Sequence, residues 1–124
     1  MIRGLGIDLA EIDRIRELWE KYGRRFAEKI LTERELDQLP KKNPVPRLAA
    51  LFAAKEAAVK ALGTGFADGV HFKCIEVVHA QSGKPEIFFL GRGREVFDKI
   101  AAKNSHVSLT HSRDTAAATV VLEG

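Results

Sequence analysis

The stretch that most constrains this chain is RLAALFAAKEAAVKALGTG, residues 47–65. Wound at about 100° per residue, Leu48, Leu51, Phe52, Val59 and Leu62 fall on one stripe. The rest of the circumference is nearly all alanine: Ala49, Ala50, Ala53, Ala54, Ala57, Ala58 and Ala61. A helix that is apolar almost all round has no solvated face, so its neighbours are expected to enclose it. Three charges break the pattern. Lys55 lies inside the stripe, and Glu56 and Lys60 lie along its edge, one turn apart. An ionised group in such a place costs several kcal/mol unless it is paired or holds a metal. Two readings stay open: an i,i+4 pair between Glu56 and Lys60, worth about 0.2–0.5 kcal/mol, with Lys55 snorkelling along its stem, or charges kept for a ligand.

The remaining elements follow from periodicity and punctuation. IRGLGIDLA reads as a first strand, with Ile2, Leu5, Ile7 and Leu9 giving it apolar weight. EIDRIRELWEKYG puts Ile12, Ile15, Trp19 and Tyr22 at helical spacing with Gly23 as the expected C-cap, and RRFAEKIL continues as a short helical turn. Thr32 with Glu35 forms a capping box, Pro40 ends that piece, and KKNPVP is a loop. Strands are expected in HFKCIEVVHA and KPEIFFLG around a Ser82-Gly83 turn, then a helix in REVFDKIAAKN. Two final strands, HVSLTH and TAAATVVLE, are joined by the SRD turn. This order is α+β, with a largely antiparallel sheet packed with helices, and residues 1–124 are expected to form one domain. The last strand carries apolar surface to spare, which suits an oligomer interface.

Composition removes several classes of function. The lone Cys74 allows no internal disulfide and no zinc pattern, and it reads as a small buried hydrophobe. No apolar run approaches the roughly 20 residues that span a bilayer, and the N-terminal acids argue against a secretory signal. A cytoplasmic protein without a membrane partner is the expectation. A net charge of +3 suits an anionic partner, but the few aromatics are not interleaved with basic residues as in single-strand binders. Nucleic acid is therefore not expected.

Candidate site residues come from three places. Asp8 interrupts an apolar strand, whereas Glu11 and Asp13 suit helix capping. Asp8 and Glu56, hard oxygen donors on separate elements, could hold Mg2+ together with waters and substrate phosphates. Gly63-Thr64-Gly65 follows the helix, so it is a C-cap rather than a phosphate loop. An anion bound there needs Lys60. In HVSLTH the odd spacing puts His106 and His111 on opposite strand faces, while His106 shares its face with Ser108 and Thr110. No motif nominates a serine nucleophile.

Taken in order, GIDLAEIDRI, FAAKEAAVKALGTG, HVSLTH and AAATVVLE resemble the holo-[acyl-carrier-protein] synthases, the small bacterial phosphopantetheinyl transferases, over nearly the whole chain. The resemblance implies a phosphopantetheinyl-transferase-like fold and a homotrimer with the active site at the subunit interface. It also implies Mg2+-dependent transfer of 4'-phosphopantetheine from coenzyme A to a serine of apo acyl carrier protein, in support of fatty acid biosynthesis, leaving adenosine 3',5'-bisphosphate. On the same ground, Asp8 and Glu56 become metal ligands, and Glu56 and Lys60 become catalytic. Lys60, Gly63, Thr64, His106 and Ser108 become coenzyme contacts, and Arg14 faces the carrier protein. Leu51 stands where family members often have arginine, and Arg47 is the basic group that could take over that contact.

A basic first helix fits such a partner. Arg14, Lys21 and Arg25 recur at helical spacing with Arg24 beside them, and an acidic carrier protein can be steered by such a face. Two rivals remain: a non-catalytic binding module, and a metal-dependent nucleotide hydrolase using the same carboxylates.

Overall fold

A computed structural model describes residues 1–124. Its centre is the helix α4, Val45–Leu62, in which all seven alanines named above are at most 5% exposed. Pro46 sits in the first turn, where a missing N–H costs nothing. Gly63 ends the helix in the left-handed region (φ 84°), and the amides of Gly63, Thr64 and Gly65 all turn back to the Val59 carbonyl.

One three-stranded antiparallel sheet lies against this helix. Its strands are β1 (Ile2–Glu11), β4 (Asn104–His111) and β5 (Thr115–Glu123), with β5 in the middle. β1 reaches α4 because it has no side chains in the way. A Cβ on Gly4 would stand 2.1 Å from the Ala61 carbonyl oxygen, and one on Gly6 1.9 Å from that of Ala57. Small residues on both elements thus let backbone meet backbone.

This packing turns the first strand's larger apolar residues away from the helix. Gly4, Gly6, Asp8 and Ala10 face the helix, while Leu5, Ile7 and Leu9 point outward at 66%, 65% and 66% exposure. The outward face of β5 in the same rows is only half-buried, and there Leu5 pairs with Val121, Ile7 with Thr119 and Leu9 with Ala117.

The antiparallel strands do not join into one sheet. β2 (Ile75–His79) and β3 (Pro85–Phe89) form a separate hairpin, and Cys74 lies in a 3-10 turn ahead of it, buried as expected. α5 (Gly91–Lys99) closes the core with Val96 and Phe97. The chain leaves β1 into α1 (Ile12–Tyr22), breaks at Gly23 and restarts as α2 (Arg24–Ile30). α3 (Glu33–Asp37) follows, with the capping box on Thr32 and Glu35 formed as expected.

Lys55 does not snorkel. It is fully buried, and its Nζ donates to Glu35 Oε1 (2.7 Å) and to the carbonyls of Ile30, Phe72 and Ile75 (2.9, 3.0 and 2.7 Å). Glu35 Oε2 in turn accepts from the Val77 amide at 2.7 Å. One ammonium therefore ties α4 to the end of α2, to α3, to the 3-10 turn and to β2. Burial lowers its pKa, and the Glu35 charge acts against that.

Candidate active site

Asp8 and Glu56 arrive at one place from two elements. Asp8 occupies the helix-facing side of β1, two residues beyond Gly6, and Glu56 directly precedes the Ala57 that Gly6 packs against. Glu56 is half-buried and has no ion partner; burial first, and then the Asp8 charge, raise its pKa, with Lys60 opposing. Lys60 Nζ donates to Asp8 Oδ1 at 2.8 Å and to the Ile7 carbonyl at 3.1 Å. That hydrogen bond and the Asp8 charge hold Lys60 above its ordinary value. Lys60 thus pairs with the strand, and the helical i,i+4 pair with Glu56 is not formed. The cluster holds two carboxylates and one ammonium, which Asp8 takes, so one negative charge is left over on Glu56.

This donor set fits Mg2+. The ion commonly takes one or two protein carboxylates and keeps its other positions for water and phosphate. No third His, Cys, Asp or Glu converges with them. Gly63 and Thr64 follow Lys60 at the end of α4, where the helix dipole repels anions. Lys60 is the group there that can attract a phosphate.

His106 and Ser108 lie elsewhere. They occupy the outward face of β4, opposite Val121 and Thr119, and His106 Nε2 sits 2.8 Å from Glu123 Oε1. Asp8 is on the other face of the sheet, with β5 between: two strand spacings, about 9–10 Å, separate β1 from β4, and His106, in the row of Leu5, is offset from Asp8 by three more residues along the strand. Within one chain the sheet stands between these residues and Asp8.

Arg47 is also apart. It lies 13 residues before Lys60 on the same helix, roughly 20 Å along the axis. Its neighbours are Asn43, His79, Thr110 and His111 around a cavity of about 390 Å³. Leu51 is 2% exposed and belongs to the core. Arg14, Lys21, Arg24 and Arg25 are all exposed on α1 and α2. The break at Gly23 (φ 61°) separates the last two from the spacing of the first two, so the basic face comes from two helices. Lys21 leans over the Tyr22 ring at 5.3 Å, and Arg25 and Lys29 flank Tyr22 and Phe26.

The polar group that sequence reasoning missed is Glu35. Its capping-box position announces a local role only. Nothing near it in the chain signals the lysine 20 residues on that it holds.

Known proteins share this sequence and fold. The model of the 4'-phosphopantetheinyl transferase superfamily matches residues 4–120. The holo-[acyl-carrier-protein] synthase of Maridesulfovibrio salexigens is 58% identical over 123 residues, covering 99% of each chain. The crystal structure of that enzyme from Neisseria meningitidis superposes with a TM-score of 0.90 at 39% identity, covering all of both chains. A Bacillus anthracis holo-(acyl-carrier-protein) synthase, solved in complex with coenzyme A (3',5'-ADP), gives 0.79 at 38% identity, covering 98% of this chain and 96% of that one. With a family model matched from Gly4 to Val120 and more than half its residues shared with one such relative, the chain belongs to the 4'-phosphopantetheinyl transferase superfamily, as a holo-[acyl-carrier-protein] synthase.

Proposed function

We propose that this chain, as one domain, moves 4'-phosphopantetheine from coenzyme A to a serine of apo acyl carrier protein in the cytoplasm, serving fatty acid biosynthesis. The observation that carries the reading is the Asp8–Glu56–Lys60 cluster, which offers two hard oxygens and one ammonium to a diphosphate. Asp8 and Glu56 would hold Mg2+, which supplies charge neutralisation to the coenzyme's pyrophosphate. Phosphoryl transfer is won by positioning and charge compensation. Lys60 holds the phosphate that leaves with adenosine 3',5'-bisphosphate, aided by Gly63 and Thr64 at the helix end. The proton of the carrier's serine hydroxyl goes to Glu56, directly or through a bound water. No nucleophile is needed on the chain itself, because the acceptor brings it.

Arg14, Lys21, Arg24 and Arg25 meet the acidic carrier protein, and raised salt should weaken that encounter. His106, Ser108 and Arg47 contact the coenzyme from a second copy of the chain. Two observations support that copy. Leu5, Ile7 and Leu9 make an outward apolar row that needs cover, and the two halves of the site lie on opposite faces of the sheet. A homotrimer closes such a head-to-tail contact.

The test is intact-mass analysis of an apo carrier protein incubated with the chain, coenzyme A and Mg2+. Transfer adds the phosphopantetheine mass to the carrier. Coenzyme consumed with the carrier unchanged would mean a hydrolase, and no change in either would mean a binding module. Glu56→Gln and Asp8→Asn should each abolish transfer with circular dichroism unchanged.

A further inference from the structure

We infer that Lys60 competes with the divalent cation for Asp8 in the free protein, and that a diphosphate ester relieves the competition by drawing the ammonium away. The inference rests on Asp8 and Glu56 being the cation's carboxylates. Lys60 Nζ lies 2.8 Å from Asp8 Oδ1, within the range of charge-assisted hydrogen bonds. A second hydrogen bond to the Ile7 carbonyl fixes the ammonium over the strand rather than over its own helix. The Asp8 side chain is 18% exposed, so one bound ammonium covers much of what a cation could reach. The Lys60 side chain is 52% exposed, so it is free to leave.

The charges decide which partner wins. Without ligand, Lys60 satisfies Asp8 and leaves Glu56 against a like charge. A divalent ion between the carboxylates satisfies both and turns the local balance positive, so the nearby ammonium becomes unfavourable. A diphosphate gives that ammonium a new anion. The cation and the coenzyme therefore strengthen each other through Lys60, in addition to any direct contact between them, and linkage requires the effect to be equal in both directions. The same side chain opposes the cation alone and assists it in the complex.

Mn2+ titrations of the metal-free chain, read by the electron paramagnetic resonance of the free ion, test this. Lys60→Met keeps the length of the stem and removes the charge, and Lys60→Arg keeps a charge. Without coenzyme A, Lys60→Met should bind Mn2+ roughly three- to fivefold more tightly than the parent, the weight of a partly exposed ion pair. Lys60→Arg should stay near the parent. Saturating coenzyme A should tighten Mn2+ in the parent by a larger factor than in Lys60→Met, after subtraction of Mn2+ bound by the coenzyme alone. Equal or weaker Mn2+ binding by Lys60→Met, with Asp8→Asn abolishing binding, overturns the competition alone. If Asp8→Asn binds Mn2+ as the parent does, the cation assignment itself fails and this inference falls with it.

Discussion

Lys55 and Glu56 are neighbours in the chain and opposites in the fold. Lys55 spends its charge inside the protein on one carboxylate and three carbonyls. Lys55→Met leaves the buried Glu35 without its cation and should cost about 3–5 kcal/mol in urea melts. Adding Glu35→Gln should recover only part of that, because the carbonyls of Ile30, Phe72 and Ile75 still lack their donor. Glu56 keeps its charge for use and destabilises the resting protein. Its folded pKa lies above 4.5, so between 4.5 and that raised value the folded chain binds more protons than the unfolded one. Stability then falls as pH rises through this window. Glu56→Gln should accordingly raise the melting temperature of metal-free protein at neutral pH, and should remove that pH dependence, while ending transfer. That these side chains were special was legible in the sequence, since with Lys60 they are the only charges that interrupt the alanines. Their partners were not: Glu35 lies 20 residues before Lys55, and Asp8 lies 52 before Lys60. Local spacing offered Glu56 to Lys60, and the strand outcompeted it with a carboxylate and a carbonyl together.

At the scale of elements, the site is a product of how closely β1 and α4 approach. Gly6→Ala places a methyl 1.9 Å from the Ala57 carbonyl oxygen, so strand and helix must separate. Such overpacking costs typically about 1–3 kcal/mol. The larger effect should fall on transfer, because the separation carries Asp8 away from Glu56. Thermal melts paired with the mass assay should show activity lost by a much greater factor than stability predicts. The helices, hairpin and final strands were legible from periodicity, and the capping box and the Gly63 cap were legible from single residues. The orientation of β1 was not. Apolar residues at alternate positions mark a buried face by default, yet here the glycines turn inward because only they admit the helix backbone. The end of α1 at Gly23 was legible as a glycine cap, but the helical spacing of Arg14, Lys21 and Arg25 runs across that break, so their face comes from two helices.

For the whole molecule, the decisive feature is that one sheet carries the two proposed halves of the site back to back. Asp8 looks inward from an edge strand, and His106 and Ser108 look outward from the other edge. If the outward apolar row of β1 is the contact, Leu5→Asp should yield a folded chain of lower mass by light scattering and without transfer, since Leu5 is already 66% exposed in the single chain. That loss alone does not distinguish a shared site from an assembly needed only for stability. Mixed assemblies do. Chains carrying Asp8→Asn supply intact His106 and Ser108, and chains carrying His106→Ala with Ser108→Ala supply intact Asp8, Glu56 and Lys60. Neither is expected to transfer by itself. Co-expressed in equal amounts and assembled head to tail at random, about one interface in four joins an intact half from each. Transfer should then return to about a quarter of the parent's rate per chain. A site complete within one chain has no intact copy in any such mixture, so no activity would return at any ratio, and the back-to-back geometry of the sheet would have no part in the chemistry.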